Sequence, residues 1–386
     1  MELHDIWVYF ENGLLLQAKG FGKKGTAIGE AVFNTSMTGY QEIISDPSYA
    51  GQFIVFCMPE IGIVGCNPND MESRQPFAKG MLIRNLNTIS SNFRATQDLI
   101  AFFNTYNLMG ICDIDTRGIV KMLRNNGAMM MIASSELKSK KELESALNSS
   151  QKIHEIDHVS AVSTKEVYTH NEGTFDFNEF SYPKLSCEAK TDGKKKKRIV
   201  AIDYGIKRNI LNELSAVGLI VEVLPHTFNA KNLIERYRQR EIGGVFLSNG
   251  PGDPLFLQDQ IDKIKQLIAA KIPIFGICLG HQLLSNAYGH KTYKLKFGQH
   301  GGNHPVKNMQ TNTIEITSQN HNYNVPESIE EVALITHRNL FDNTIEGVFY
   351  KDYPVFSVQH HPESSPGPRE ASKLFAKFES MVDETL

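Results

Sequence analysis

A single cysteine, Cys278, stands between Gly276 and Gly280 in the segment G-I-C-L-G. An apolar run that ends at Ile277 leads into it, and the stretch 281–288 that follows has helical spacing. Glycines on both sides of a nucleophile let the backbone turn sharply from strand to helix and hold one reactive side chain at the tip. The positive N-terminal end of the helix favours a thiolate at that point. The segment predicts a cysteine nucleophile on an elbow like that of the serine hydrolases, although a packed strand–helix junction remains the alternative.

A cysteine nucleophile needs a base, and histidine suits that role near neutral pH. Of the 13 histidines, His361 is the best placed, because it follows the apolar strand-like run 355–358 in V-F-S-V-Q-H-H-P-E. Side chains two residues apart in extended backbone face the same way, so Glu363 can orient the imidazole, while Pro362 stiffens the segment. His360 is the local competitor, but it points to the opposite face and lacks the carboxylate. The alternative to a catalytic role is a strand-end histidine satisfied by a nearby carboxylate.

A third segment, L-S-N-G-P-G-D-P at 247–254, also follows a predicted strand. Gly250 and Gly252 form a tight turn whose amides can point into a cleft. Together with the amide of Leu279, such a turn could bind the oxyanion of a tetrahedral intermediate. An ordinary Gly-Pro turn is the alternative.

The elements around these segments alternate between strand and helix from residue 199 onward. Alternation of this kind predicts an α/β fold with an open, mostly parallel sheet covered by helices on both faces, and ligands collect at the carboxyl ends of its strands. Residues 1–150 instead read as a β-rich domain, and residues 198–386 as the domain that carries Cys278. The polar segment 151–197 between them is predicted to be a linker. Its basic run at 194–198 is predicted to be exposed to solvent as part of that linker and not to bind nucleic acid.

Composition narrows the class of protein. The 386 residues include 40 basic and 43 acidic side chains, so neither nucleic acid nor an anionic membrane is expected as a partner. No apolar stretch is long enough to span a membrane, and the N-terminus lacks the features of a signal peptide. The five cysteines are scattered, which argues against disulfides and zinc and favours a reducing cytoplasm.

Two nucleotide-binding motifs are excluded. The segment 20–25, G-F-G-K-K-G, has the glycine spacing of a dinucleotide site, but a strand-like pattern follows it instead of a helix. A hairpin turn is expected there. No phosphate loop of the G-x-x-x-x-G-K-[ST] type occurs, so this chain has no visible ATP site, and no spacing of metal ligands is seen.

Taken together, the segments 247–254, 276–282 and 359–363 resemble the class I, triad-type glutamine amidotransferases. The stretch 33–49, F-N-T-S-M-T-G-Y-Q-E-I-I-S-D-P-S-Y, is similar to the small, glutaminase chains of carbamoyl-phosphate synthase, as are D-T-R at 115–117 and S-P-G-P at 365–368. The resemblance covers both predicted domains.

The resemblance implies roles for individual residues. Cys278 would be the nucleophile, His361 the base and Glu363 its partner, in hydrolysis of glutamine through a γ-glutamyl thioester. The residues implied to hold glutamine are Ser48, Gly250, Gly252, Leu279, Gln282, Asn320, Asn322 and Tyr323. The chain departs from the family at Asn322 and Tyr323, where the pattern N-H-G-F is usual, and at Gln299, where histidine is common.

The family also implies a partner. Carbamoyl phosphate synthesis needs two phosphorylations, so ATP and Mg²⁺ are expected on a separate large synthetase chain that receives ammonia from this one, for arginine and pyrimidine biosynthesis. No cofactor or metal is expected in this chain. The rival hypotheses are a free-standing glutaminase, an ammonia-donating subunit of anthranilate or GMP synthesis, and a regulatory subunit without chemistry. The segment 33–49 argues against the first two, and the intact cysteine, histidine and glutamate argue against the third.

Overall fold

A computed structural model describes residues 3–185, 197–351 and 354–385. The chain divides into two compact units. Unit 1 consists of Met1–His158 with Leu295–Gly301, and unit 2 of Val159–Lys294 with Gly302–Leu386. The segment Leu295–Gly301 lies within the long strand Tyr293–Asn308, and the remaining residues of that strand belong to unit 2.

Unit 1 is built around a closed barrel. Its strands are β1 (His4–Phe10), β2 (Leu15–Gly22), β3 (Thr26–Asn34), β4 (Gln52–Phe56), β5 (Glu60–Ile61), β6 (Gly80–Leu82), β7 (Asn85–Leu86), β8 (Met109–Cys112) and β9 (Met129–Ser134). Its helices are α1 (Tyr40–Ser45), α2 (Leu99–Thr105), α3 (Thr116–Asn126) and α4 (Lys140–Asn148). The barrel order is β1-β2-β8-β6-β4-β3-β9, and buried side chains such as Val8, Phe53 and Ile111 share one core cluster. The predicted β-rich character of this part of the chain is confirmed.

The expected hairpin at residues 20–25 is wrong. β2 pairs with β1 and β8, whereas β3 pairs with β4 and β9. The segment between them therefore joins two strands that are not neighbours. Glycine-rich turn chemistry predicts that the chain reverses, but it does not specify which strand it meets afterwards.

Unit 2 folds as an α/β domain. Its strands are β10 (Tyr168–His170), β11 (Lys197–Asp203), β12 (Leu219–Pro225), β13 (Gly244–Leu247), β14 (Ile274–Ile277), β15 (Tyr293–Asn308), β16 (Thr313–Asn324), β17 (Ala333–Asn339), β18 (Ile345–Tyr350) and β19 (Val355–Val358). Its helices are α5 (His158–Val162), α6 (Arg208–Ala216), α7 (Ala230–Arg238), α8 (Gln258–Ala269), α9 (Leu279–Ala287) and α10 (Lys373–Thr385).

The sheet order is β10-β12-β11-β13-β14-β19-β18-β17-β15-β16. The pairings from β12 through β11, β13 and β14 to β19 are parallel, and the strands beyond β19 extend the sheet with antiparallel pairings. Side chains alternate along β11: Val200 and Ile202 pack in one core cluster, while Ile199 and Ala201 pack in another. The first cluster also includes residues of α7, α8 and α9, and the second includes residues of α6 and α10. The predicted α/β fold with helices on both faces is confirmed.

The segment predicted as a linker contains regular structure where the structure describes it. Helix α5 lies within it, and β10 pairs antiparallel with β12 at the edge of the sheet. Residues 186–196, which hold most of the basic run, lie outside the described residues. In the described part of the chain, no helix has the length and apolar character needed to cross a membrane.

Candidate active site

Cys278 occupies the junction between β14 and α9. Its backbone has φ 52° and ψ −103°, a region that residues other than glycine rarely adopt. The neighbouring strand holds this conformation in place, because the Cys278 amide donates to Val358 O at 2.9 Å. Strained backbone of this kind persists only where the surrounding structure determines it, and such positions cluster at functional sites.

The two flanking glycines are required by close backbone packing. A Cβ added at Gly280 would lie 2.2 Å from Leu247 O, at the end of the adjacent strand β13. A Cβ added at Gly276 would lie 2.8 Å from the backbone carbon of Gly280 itself. Helix α9 therefore starts in direct contact with the sheet, and this places its first turn and Cys278 at the carboxyl edge of the parallel strands.

The thiol of Cys278 is buried, with 2% of the residue exposed. Its Sγ donates to Asn320 O on β16 at 3.5 Å. Asn320 belongs to the 320–323 segment that the sequence singled out. The structure thus brings that segment next to the Cys278 thiol, although Asn320 and Cys278 are 42 positions apart in the chain.

His361 and Glu363 follow β19, the strand that pairs with β14 on the side away from β13. The register pairs Ile277 with Val358, so both loops leave the sheet at the same edge. His361 Nδ1 lies 2.7 Å from Glu363 Oε1, and both side chains are buried. The His361 amide donates to Ser318 O at 2.9 Å. A turn at residues 362–363, closed by the Ser364 amide donating to His361 O at 3.2 Å, places the carboxylate against the ring. The extended backbone expected at this point is therefore wrong.

The electrostatics of this pair favour a charged ring. Burial alone lowers the pKa of His361, but the Glu363 carboxylate and the Cys278 thiol outweigh it, so the pKa is raised above its ordinary value. His361 Nε2 forms no hydrogen bond of ordinary geometry among the described residues, yet the thiol is close enough to contribute to that pKa. An imidazolium beside a thiol stabilises the thiolate and holds a proton ready for a leaving group.

Lys207 is a third charged group at this site, and sequence reasoning missed it. Its Nζ donates to Glu363 Oε1 at 2.9 Å and also to Ser364 O, and its side chain is 3% exposed. Burial alone raises the pKa of Glu363, but Lys207 and His361 hold it well below its usual range. The available signal was the segment D-Y-G-I-K after β11, because this strand also ends at the carboxyl edge of the sheet.

Replacing Lys207 with methionine is expected to lower the free energy of unfolding by ~3–5 kcal/mol, because the buried Glu363 charge would lose one of the two cations that balance it. The measurement is urea unfolding of both proteins. Lys265→Met is the control, since Lys265 forms an exposed pair with Asp262 at 2.9 Å. The control should change stability by less than about 0.5 kcal/mol. Equal stabilities for Lys207→Met and the wild type would contradict an ionised Glu363.

The turn after β13 lies against the start of α9. A Cβ added at Gly250 would lie 2.8 Å from Leu279 Cδ2 and 2.3 Å from Tyr204 O, so only glycine fits. Gly252 has φ +92°, which also favours glycine. The parallel pairing of Leu247 with Gly276 explains why the two turns meet at one edge. Gly250 thus packs against the side chain of Leu279.

Gln282 contacts the opposite side of the elbow. Its Nε2 donates to Tyr323 O at 2.9 Å and to Gln359 Oε1 at 3.1 Å. The side chain is buried and links α9 to the end of β16. Asn322 is partly exposed, whereas Asn320 and Tyr323 are buried.

Ser48 belongs to unit 1, whereas the other sequence-predicted site residues belong to unit 2. It lies in a short 3-10 turn, Pro47–Tyr49, that follows α1. Its amide donates to Asp46 Oδ1 at 2.8 Å, and the residue is buried. The Asp-Pro-Ser-Tyr sequence therefore folds as a capped turn. Gln299, the second departure from the family pattern, also lies in unit 1.

Comparison with known proteins agrees with this geometry. Residues 200–381 match the model of the family "Glutamine amidotransferase class-I". Residues 8–133 match the model "Carbamoyl-phosphate synthase small chain, CPSase domain". The two matches fall on separate stretches of the chain.

Full-length relatives carry the same combination. The chain is 58% identical to the carbamoyl phosphate synthase small chain of Helicobacter hepaticus, over 97% of this chain and 98% of that protein. It is 56% identical to the Campylobacter jejuni protein of the same name, over 97% and 99% of the two chains. It is 43% identical to the chloroplastic small chain of Arabidopsis thaliana, over 95% of this chain and 83% of that one. The chain therefore belongs to the family of carbamoyl phosphate synthase small chains, the glutaminase components of that ligase.

Proposed function

We propose that this chain hydrolyses L-glutamine through a Cys278–His361–Glu363 triad and delivers the ammonia to a large synthetase chain. The observation that carries the proposal is the strained Cys278 at the tip of the β14–α9 junction, beside a histidine that is bonded to a buried carboxylate. A thiol, an imidazole and a carboxylate in one buried site form the set of groups that acyl transfer to cysteine uses.

In the first half of the reaction, Cys278 Sγ attacks the carbon of the side-chain amide of glutamine. The S–C bond forms, and the C–N bond breaks as the tetrahedral intermediate collapses. The imidazolium of His361 gives its proton to the leaving nitrogen, which departs as ammonia. The product left on the enzyme is a γ-glutamyl thioester.

In the second half, the neutral ring of His361 takes a proton from water as the water oxygen attacks the thioester carbon. The C–S bond breaks, glutamate leaves, and the proton on the ring restores the starting pair. Glutamine and one water thus give glutamate and one ammonia. Glu363 keeps the ring oriented and stabilises its charge in both halves, and Lys207 keeps Glu363 ionised.

The amide of Leu279, in the first turn of α9, and an amide of the Gly250 turn are proposed to bind the oxyanion of both tetrahedral intermediates. Backbone donors fixed in a buried site stabilise developing charge without reorganising, and removing one donor costs ~10²–10³-fold in rate in well-studied enzymes. The direct packing of Gly250 against Leu279 supports this assignment.

Glutamine binding is assigned on the family resemblance to Ser48, Gly250, Gly252, Leu279, Gln282, Asn320, Asn322 and Tyr323. The contacts of Asn320 with Cys278 and of Tyr323 with Gln282 are made by backbone carbonyls. The Tyr323 contact supports the idea that tyrosine is tolerated in place of the usual phenylalanine, since a backbone contact does not depend on side-chain identity.

The partner is proposed to be the large chain of carbamoyl phosphate synthase, which would bind ATP and Mg²⁺ and use the ammonia for arginine and pyrimidine biosynthesis. The match of residues 8–133 to the small-chain family supports this partner. A cytoplasmic location fits the free cysteines found among the described residues, Cys57, Cys66, Cys112 and Cys278.

Reconstitution with the large chain tests the proposal. The complex should form carbamoyl phosphate from glutamine, bicarbonate and ATP, with one glutamate released per ammonia consumed. The isolated chain should hydrolyse glutamine more slowly, by about 10-fold or more, if partner binding is coupled to the site as allosteric sites commonly are. The measurement is glutamate release with and without the large chain. Equal rates and no carbamoyl phosphate would instead identify a free-standing glutaminase.

A further inference from the structure

A buried chain of polar side chains runs from Glu346 on β18 to the 320–323 segment on β16. Gln319 Nε2 donates to Glu346 Oε2 at 3.0 Å, and Gln319 Oε1 lies 3.1 Å from His321 Nε2. His321 Nδ1 lies 2.9 Å from Tyr323 O. All four residues are buried. We refer to Glu346, Gln319 and His321 as the Glu346 relay.

Glu346 is an ionised carboxylate at the start of this relay. It is fully buried, and Asn339 Nδ2 donates to its Oε1 at 2.9 Å. Burial alone raises the pKa of Glu346, but the neighbouring rings of His360 and His321 and the amide of Asn339 lower it to about 2. An ionised carboxylate only accepts hydrogen bonds.

The carboxylate fixes the orientation of the Gln319 amide. Because Glu346 Oε2 accepts, the atom of Gln319 that faces it must be the NH₂ group, which also donates to Thr317 Oγ1 at 3.1 Å. The other end of the amide, the oxygen, must then face His321 Nε2. A carbonyl oxygen has no proton to give, so the Nε2 atom of His321 must carry one.

The second ring nitrogen of His321, Nδ1, also faces an oxygen atom that can only accept a hydrogen bond. Nδ1 faces the main-chain carbonyl of Tyr323, which again can only accept. A neutral imidazole has a single N–H, and it would leave one nitrogen lone pair directed at an oxygen lone pair inside the protein. Both contacts are satisfied only by an imidazolium, which the Glu346 charge can balance through Gln319.

We propose that Glu346 is a positioning residue for glutamine hydrolysis: through Gln319 it keeps His321 doubly protonated, and His321 thereby fixes the Tyr323 carbonyl at the glutamine site. Tyr323 O accepts from both His321 Nδ1 and Gln282 Nε2, while three residues earlier Asn320 O accepts from the Cys278 thiol. The relay therefore anchors the strand segment that lies against the nucleophile. The assignment of that segment to glutamine binding rests on the proposed function, but the protonation state of His321 does not.

The other ionisable groups around the relay do not replace Glu346. Burial lowers the pKa of His281 and of His337 to about 3, so both rings are neutral. Their Nδ1 atoms pair with hydroxyl groups, those of Ser357 and Thr336 respectively. His360 Nδ1 lies 3.8 Å from Glu346 Oε2, which is longer than a hydrogen bond.

Kinetics of Glu346→Gln in the complex with the large chain test the functional half of the proposal. The amide cannot accept from both Gln319 and Asn339, and it removes the charge that balances His321. The KM for glutamine should rise by about 10-fold or more, with a much smaller change in kcat, while synthesis from ammonia stays unchanged. Glu315→Gln is the matched control, a buried carboxylate on β16 that pairs with Lys373 and lies outside the relay. It should leave the KM unchanged; equal KM values for both variants would overturn the functional half.

Nitrogen-15 NMR of the histidine rings tests the protonation state directly. In the wild-type chain at pH 7.5, both nitrogens of His321 should carry a proton, with its signals identified by their loss in His321→Gln. Glu346→Gln should return the ring to one proton, whereas Glu315→Gln should not. A single protonated nitrogen in the wild type would overturn the proposal even if Glu346→Gln does not fold. The proposed function is tested by a different variant: full glutaminase activity of Cys278→Ser would contradict the proposed function without affecting the result for His321.

Discussion

Replacing Cys278 with serine is expected to reduce glutamine hydrolysis by ~10³-fold or more, because a serine hydroxyl does not ionise near neutral pH and cannot replace a thiolate as nucleophile. Synthesis of carbamoyl phosphate from ammonia by the complex should be retained, since the proposed function assigns the ammonia-using step to the large chain. The measurement compares the two nitrogen sources at the same concentration of complex. Serine differs from cysteine only in its smaller terminal atom, so the β14–α9 elbow should keep its geometry.

The control for this variant is Cys57→Ser. Cys57 is a partly exposed thiol in unit 1 whose pKa burial raises to about 11, so it stays protonated at neutral pH. Its replacement should leave both nitrogen sources equally effective. Undiminished hydrolysis of glutamine by Cys278→Ser would remove the nucleophile from the proposal. Loss of the ammonia reaction as well would show that the change had damaged the complex rather than the chemistry.

Replacing His361 with asparagine is expected to slow glutamine hydrolysis by ~10²–10⁴-fold, the usual contribution of general acid–base catalysis. The amide preserves a hydrogen bond towards Glu363, which lies 2.7 Å from Nδ1 in the native site. It cannot take the proton of the thiol or pass one to the departing nitrogen. Single-turnover measurement of ammonia release shows the loss in the acylation step itself, where the imidazolium acts first.

The control is His170→Asn, a partly buried histidine on β10 whose Nε2 lies 2.8 Å from Asn212 Oδ1. This variant also replaces a hydrogen-bonded histidine by asparagine. His170 lies on the edge strand β10, which is separated from β14 by the strands β12, β11 and β13. Its rate should match that of the wild type. If His361→Asn kept a rate within a few-fold of wild type, another group would have to act as the base, and His360 next to it would be the first to test.

The residues that the sequence predicted for the site are those whose geometry is set within a few residues of chain. The glycines at 276 and 280 indicate that α9 lies close to the sheet. The structure gives the steric reason, because a Cβ at Gly280 would lie 2.2 Å from Leu247 O. The two-residue spacing of His361 and Glu363 indicates the pair, but a turn rather than extended backbone brings the two side chains together. Residue types at short spacing can be recognised from the sequence pattern alone, whereas the backbone and the tertiary contacts that join them cannot.

The features that the sequence pattern does not predict correctly are pairings between segments that lie far apart in the chain. The turn at 20–25 was expected to close a hairpin, but β2 and β3 have different neighbours because barrel closure selects strand partners globally. Likewise, the antiparallel strands beyond β19 and the pairing of β10 with β12 carry no local signal that separates them from other apolar runs. Strand pairing depends on burial over the whole sheet, and a local pattern does not contain that information.

The sequence by itself therefore indicated a cysteine between two glycines, a histidine with a carboxylate two residues on, an α/β domain that carries them and the family of glutaminase chains to which this protein belongs. Only the tertiary structure decided which charged groups surround these residues. Lys207 meets Glu363, and Glu346 meets His321 through Gln319, across strands that are distant in the chain. The physical reason is that ionisation states depend on burial and on neighbours within a few ångströms, and these are set by how the strands assemble rather than by residue type.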